Sequence, residues 1–201
     1  MVEQFNHKEK EPGSPKVVCF EGISCCGKST LIDGLASPDR GIEVVRFQVP
    51  RDLKDPTPEY FLANDMEKLK KAARVNGQVA LLDRAYVSTL VFYTVLSEIN
   101  PGFDVFPLYR WFFENVERNF SRPDHYFFVH IPPELSITRS RGIRPFNENN
   151  VWLKAPDRAV YWYERLFASL EKSVPLTILD GTKSVDLLLD DAKKELDKII
   201  T

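Results

Sequence analysis

The sequence predicts an α/β fold: a five-stranded parallel sheet with helices on both faces and a short arginine-rich lid. Three observations predict it. Short apolar runs rich in β-formers alternate with longer segments of helical composition. These runs are apolar almost throughout, as expected of strands covered on both faces. A glycine-rich turn follows the first run and opens a helical segment, and ligands of such sheets bind at the carboxyl ends of strands.

The elements follow in order. Lys16–Glu21 is a buried strand closed by Gly22, and Ser29–Ala36 is a helix stopped near Pro38. Ile42–Phe47 is the second strand, stopped by Pro50. Glu59–Asn76 is helical, with Phe61, Leu62, Met66, Leu69 and Ala73 in helical spacing and Asn76-Gly77 as its stop signal. Gln78–Asp83 is the third strand. Val87–Ser97 and Phe106–Phe120 are aromatic-rich helices, and His125–Ile131 is the fourth strand. Pro132-Pro133 opens the next helix, where proline is tolerated. Arg139–Asn150 is polar and reads as a mobile loop. Asp157–Lys172 is helical, Leu176–Leu179 is the fifth strand and Ser184–Ile200 is a final amphipathic helix.

The length of 201 residues suits one domain, here 16–201, with residues 1–15 as a flexible tail ending in Pro-Gly-Ser-Pro. Hydrophobic residues at 43% and charged residues at 28% exclude a disordered or fibrous chain. A net charge of -2 argues against a partner that is a nucleic-acid polymer, while leaving room for a local anion pocket. No apolar run approaches the ~20 residues of a membrane span, and the N-terminus lacks the apolar core of a signal peptide. Three cysteines, two of them adjacent (Cys25, Cys26), make neither a disulfide framework nor a zinc site, so a reducing, cytoplasmic setting is expected.

Gly22-Ile-Ser-Cys-Cys-Gly27-Lys28-Ser29 matches the phosphate-loop pattern G-x-x-x-x-G-K-[ST]. A chance match in a chain this long is about a 1% event at average glycine usage. The chemistry dictates the residue types. Glycines free the backbone N–H groups to curl around phosphate oxygens, and the following helix adds its positive end. Gly22, Ser24, Cys25, Cys26, Gly27, Lys28, Ser29 and Thr30 are therefore expected to cradle ATP. Lys28 reaches the β- and γ-phosphates, the Ser29 hydroxyl ligates Mg²⁺ and Thr30 contacts the α-phosphate. This marks a P-loop NTPase fold. Cys25 and Cys26 read first as small side chains that leave the loop backbone free; a helix N-terminus can also sensitise a thiol to oxidation.

Asp83 and Arg84 close the third strand. If that strand neighbours the first, Asp83 reaches the loop, where it can hold Mg²⁺ through water or take a proton from the acceptor. Arg84 can clamp a phosphate bidentately. Arg139, Arg141 and Arg144 fall within six residues. A solvated turn is the usual meaning of such a run. In phosphoryl transfer, lid arginines neutralise charge on the transferring group and exclude water, and this loop carries no arginine of its own.

Taken together, these segments resemble the thymidylate kinase branch of the nucleoside monophosphate kinases, over about Lys16 to Ile200. The resemblance rests on Phe20-Glu21-Gly22, on Leu82-Asp83-Arg84-Ala85-Tyr86 with Ser88, on Pro123-Asp124, on Pro132-Pro133-Glu134 with Arg139 and Arg141, and on Leu179-Asp180-Gly181-Thr182. It implies an ATP- and Mg²⁺-dependent kinase in which Thr182 borders the adenine. Three positions depart from the pattern. Ser24 replaces an Asp that faces the sugar, Gln48-Val49-Pro50 replaces Arg-Glu-Pro, and Asp65 stands where an arginine faces thymine. The departures place Gln48 at the acceptor, together with Arg51, Arg84 and the stacking candidates Phe61 and Tyr86.

Phe47, Phe61 and Tyr86 could each stack on a base, although such residues are more often plain core packing. Trp111–Phe113 and Tyr161–Tyr163 either pack helices or furnish the face of a homodimer. Three functions follow. The first is a nucleoside monophosphate kinase. The second, since deoxynucleoside kinases have a similar loop and lid, is a kinase acting on a deoxynucleoside or other small hydroxyl compound, with Asp83, Asp52 or Asp65 as base. The third is a nucleotide-binding switch with no diffusible acceptor.

Overall fold

The computed structural model describes residues 13–46, 57–119, 122–143, 150–170 and 174–200. Five parallel strands form one sheet in the order β2-β3-β1-β4-β5: β1 Lys16–Glu21, β2 Ile42–Val45, β3 Val79–Asp83, β4 His125–His130 and β5 Leu176–Asp180. The helices are α1 Lys28–Leu35, α2 Pro58–Ala72, α3 Tyr86–Ile99, α4 Phe106–Asn119, α5 Pro133–Ile143, α6 Val151–Lys154, α7 Pro156–Leu170 and α8 Val185–Ile200.

The central strand β1 pairs with β3 on one side and β4 on the other. The chain therefore reverses its winding direction at β1, and the crevice beyond its carboxyl end is where such sheets take ligands. Val17–Phe20, Val79–Leu82 and Tyr126–Val129 are all buried, which requires helices on both faces. Phe20 pairs with Asp83 in the β1–β3 register, so that register alone sets Asp83 beside the start of the glycine loop.

Local signals explain the helix starts. Thr57 caps α2 by accepting from the Tyr60 N–H at 3.3 Å, with Pro58 as its first residue. Asn150 caps the one-turn α6 by accepting from the Trp152 N–H at 3.1 Å.

One expected element is corrected. The arginine-rich stretch 139–150 is not a loop from its first residue, because α5 continues through Arg139 and Arg141 to Ile143. Buried Ser136 and Ser140 anchor its inner face, so a polar composition did not signal an irregular backbone. Residues 144–149, and with them Arg144, lie outside the described residues, as do Phe47, Gln48, Arg51, Asp52 and residues 1–12 of the tail. No helix among the described residues is long and apolar enough to cross a membrane.

Candidate active site

The phosphate loop runs from β1 into α1. Gly22 has φ 141, and a Cβ there would meet the Val129 carbonyl oxygen at 2.5 Å, so both conformation and space demand glycine. Gly27 (φ 107) caps α1 and Cys25 has φ 57, so the loop turns twice through the left-handed region. Such turns align successive N–H groups into an anion nest.

Lys28 is buried, and all three donors of its ammonium turn back onto the loop: to Gly22 O at 3.0 Å, Ile23 O at 2.9 Å and Cys26 Sγ at 3.2 Å. Burial lowers its pKa, helped by the positive charge of Arg84. Ser29 Oγ, on the first turn of α1, donates to Asp83 Oδ2 at 3.0 Å. Thr30 is exposed beside it. The sequence thus placed Ser29 and Asp83 apart by 54 positions, and the fold brings them into direct contact.

Two hard oxygens at the mouth of an anion nest suit Mg²⁺, which commonly takes one or two protein oxygens and completes its shell with phosphates and water. Among the described residues there is no group of three or more His, Cys, Asp or Glu side chains that could hold a metal by themselves.

The other side of Asp83 opens into a cavity of about 340 Å³ lined by α2, the end of β3, α3 and α6. Phe61, Phe92, Tyr93 and Trp152 give it aromatic walls. Its charged lining comprises Asp65, Lys68, Asp83 and Arg84. Asp65 is buried between Lys68 Nζ (3.0 Å) and Thr89 Oγ1 (2.6 Å). Lys68 also donates to the Arg84 carbonyl at 2.7 Å. Asn64 lines the cavity with its Oδ1 buried and without a hydrogen-bond partner.

Arg84 begins the segment after β3 at φ 64, a left-handed conformation unusual for a residue with a side chain. Its Nη1 donates to Ser88 Oγ at 2.8 Å and to Tyr163 OH at 2.9 Å, and its guanidinium lies 4.7 Å from the centre of the Trp152 ring. On the opposite flank Arg139 donates to Gly181 O at 3.0 Å and to Cys25 O at 3.4 Å, tying α5 to the loop and to the turn after β5 that carries Thr182. Ser136 adds a bond to Ser24 O at 2.7 Å. Arg141 is exposed two residues further along the helix, about 200° around its axis from Arg139. Arg139 and Arg141 therefore do not share a face.

The structure groups Gly22–Thr30, Asp83, Arg84, Arg139 and Phe61 around one crevice. It does not bring Tyr86 there. That side chain is 1% exposed, packs edge-on to Phe112 with 6.1 Å between ring centres, and its OH is buried without a partner. Its position at the start of α3 turns it into the core, which the residue's mere proximity to Asp83 in sequence concealed. Lys68, Asn64, Trp152 and Tyr163 were missed by the sequence reading. An i, i+4 spacing from Arg84 to Ser88 was a usable signal for that contact; the link from Arg84 to Tyr163 spans 79 positions and had none.

No protein-family model matches the chain, and no curated protein matches it in sequence. Solved structures do match. The chain is similar to deoxyadenosine kinase from M. mycoides with the products dCMP and a flexible dCDP bound, at TM-score 0.71 and 19% identity over 90% of this chain and 99% of that one. The same enzyme with dATP bound gives 0.68, and with dCTP bound 0.66, both at 19% identity and the same coverage. The chain has the P-loop NTPase fold, in the form that this deoxynucleoside kinase shares.

Proposed function

We propose that the chain is a kinase that transfers the γ-phosphoryl group of ATP to a hydroxyl of a deoxynucleoside. The observation that carries this reading is the charge balance of the cavity beyond Asp83. Its described lining holds two carboxylates, Asp65 and Asp83, and two cations, Lys68 and Arg84. Lys68 is already paired with Asp65. A nucleoside is neutral and suits a balanced, aromatic-walled space. A nucleoside monophosphate would bring about two negative charges, and such a dianion calls for surplus cations. The fold shared with a deoxyadenosine kinase points the same way.

In this reading the loop amides and Lys28 hold the polyphosphate. Lys28 exchanges its bonds to Gly22 O, Ile23 O and Cys26 Sγ for phosphate oxygens. Ser29 and Asp83 would hold Mg²⁺, which would supply charge neutralisation on the phosphates. Asp83 faces both the loop and the cavity, so it is the carboxylate placed to accept the hydrogen bond of the attacking hydroxyl and to take its proton. Arg84 and Arg139 approach the transferring group from opposite flanks, Arg84 from the cavity and Arg139 from α5. Arg139 stands on the described end of α5, where the expected lid begins. Rate enhancement then comes from positioning and from fixed positive charge.

The test is ADP formation from Mg-ATP in the presence of deoxynucleosides, deoxynucleoside monophosphates and unrelated alcohols. Acceleration by deoxynucleosides is expected. Acceleration confined to monophosphates, or ADP formation indifferent to every acceptor, would refute the reading.

A further inference from the structure

Glu21 is a fully buried carboxylate, the last residue of β1, and no step described above uses it. Its Oε1 accepts from the Ala85 N–H at 2.8 Å, and its Oε2 accepts from the Ser88 hydroxyl. Ser88 Oγ and Tyr163 OH are 2.7 Å apart, and both accept from Arg84 Nη1. Tyr163 OH also lies 3.2 Å from Gly22 O and 3.4 Å from Glu21 Oε2. The first strand, the phosphate loop, the start of α3 and α7 thus converge on one guanidinium.

We propose that Glu21 is a positioning residue that aims Arg84 at the acceptor hydroxyl and the transferring phosphoryl group, acting through the Ala85 amide and through the Ser88–Tyr163 pair. The proposal rests on the role given to Arg84 above.

Proton counting supports it. Ser88 has one hydroxyl proton, which goes to Glu21, so its oxygen is left to accept from Arg84 and from Tyr163. Tyr163 then donates to Ser88 and accepts from the second Nη1 proton. With Glu21 an acceptor at both oxygens, the Ser88 proton is held away from Arg84 and both Nη1 protons are taken by oxygens that the carboxylate orients. The carboxylate also holds the Ala85 N–H, the peptide that follows Arg84, and thereby fixes the left-handed turn at φ 64. Lys68 grips the carbonyl of the same residue from the other side.

A plain strand-end cap would need only the Ala85 bond. Glu21→Gln separates the two roles. The glutamine carbonyl still accepts from Ala85, but its NH₂ now faces Ser88, whose oxygen is already filled. Ser88 must then turn its proton to Tyr163 and Tyr163 donate on to Gly22 O, so the pair that receives Arg84 is re-oriented and loses its charged anchor.

The expected result in Glu21→Gln is a fall in kcat of about 100-fold, the scale for displacing a catalytic group by about 1 Å, with KM for ATP unchanged. In an Arg84→Met background the same substitution should change kcat by less than about 3-fold, since residues acting as one unit are not additive. Ser88→Ala, which leaves the Ala85 bond intact, should show the same coupling to Arg84 and covers the case that Glu21→Gln fails to fold. A full additive loss in the Arg84→Met background, or wild-type kcat in both single variants, would overturn the proposal. A second readout is independent of turnover. Nitrogen NMR of the Arg84 guanidinium should show slower rotation about Cζ–Nη1 in the wild type than in Glu21→Gln; equal rotation would overturn the proposal. A wild type with no acceptor-dependent turnover would instead refute the kinase reading and leave the NMR result to judge Glu21.

Discussion

On the proposed reading the crevice has a donor half and an acceptor half, and the two are built in different ways. The donor half is one continuous segment, Gly22–Thr30, whose shape follows from glycines at φ 141 and φ 107 and from a helix start. The acceptor half is assembled from α2, β3, α3 and α6, segments separated by up to about ninety positions, and its polar groups hold one another: Asp65 with Lys68 and Thr89, Arg84 with Ser88 and Tyr163. A contiguous backbone nest recognises what all nucleotides share. A mosaic of side chains can be re-cut for a different acceptor without disturbing the nest.

Substitutions should therefore behave differently in the two halves. The largest effect is expected for Lys28→Ala, which removes the ammonium of the nest. Steady-state kinetics should show kcat lower by about 10³-fold, by the same factor for every acceptor. Acceptor-dependent losses would blur the division. Gly22→Ala adds a Cβ 2.5 Å from the Val129 carbonyl oxygen at a φ that disfavours side chains. It should cost roughly 2–3 kcal/mol by denaturant unfolding, and an unchanged midpoint would show that the loop gives way easily. Trp152→Ala strips the ring 4.7 Å from Arg84 and one aromatic wall of the cavity. It should raise KM for the acceptor about 10-fold while KM for ATP stays put.

The smallest effect concerns pH. Burial raises the Glu21 carboxyl above its ordinary value of 4.5, opposed by Arg84, by the Ser88 and Ala85 hydrogen bonds, and reinforced by Asp65. Cys19 and Tyr163 also face it. The folded state thus binds this proton more tightly than the unfolded chain. The stabilisation is fully present below the unfolded value and is lost as pH rises through the folded value. Across that window the wild type should lose stability relative to Glu21→Gln in denaturant titrations. A difference that is flat, or of opposite slope, would contradict the sign.

Legibility in the sequence followed the same division. The five strands were readable to within two residues at each end because largely apolar runs between turn signals have few other meanings. Lys28, Ser29 and the loop were readable because their chemistry is local. Asp83 and Arg84 needed one topological assumption, that β3 lies beside β1, and the sheet order supplies it. The rest required contacts across the chain. Tyr163 lies in an aromatic cluster that reads as helix packing or a dimer face; only the fold reveals that its hydroxyl meets Gly22 and Arg84. Tyr86 drew attention by adjacency and proves to be core. The α6 turn, four residues long, is too short for a periodic signal, although Asn150 caps it.

The central claim is that nucleotide and acceptor meet at Asp83 in adjoining sites of a single chain. Calorimetric titration of a bisubstrate compound, adenosine and a deoxynucleoside joined 5′ to 5′ through a polyphosphate, tests it most directly. One compound should bind per chain about 10²-fold more tightly than ATP, as expected when two sites are engaged at once. Affinity no better than that of ATP alone would show that the cavity beyond Asp83 does not receive the acceptor.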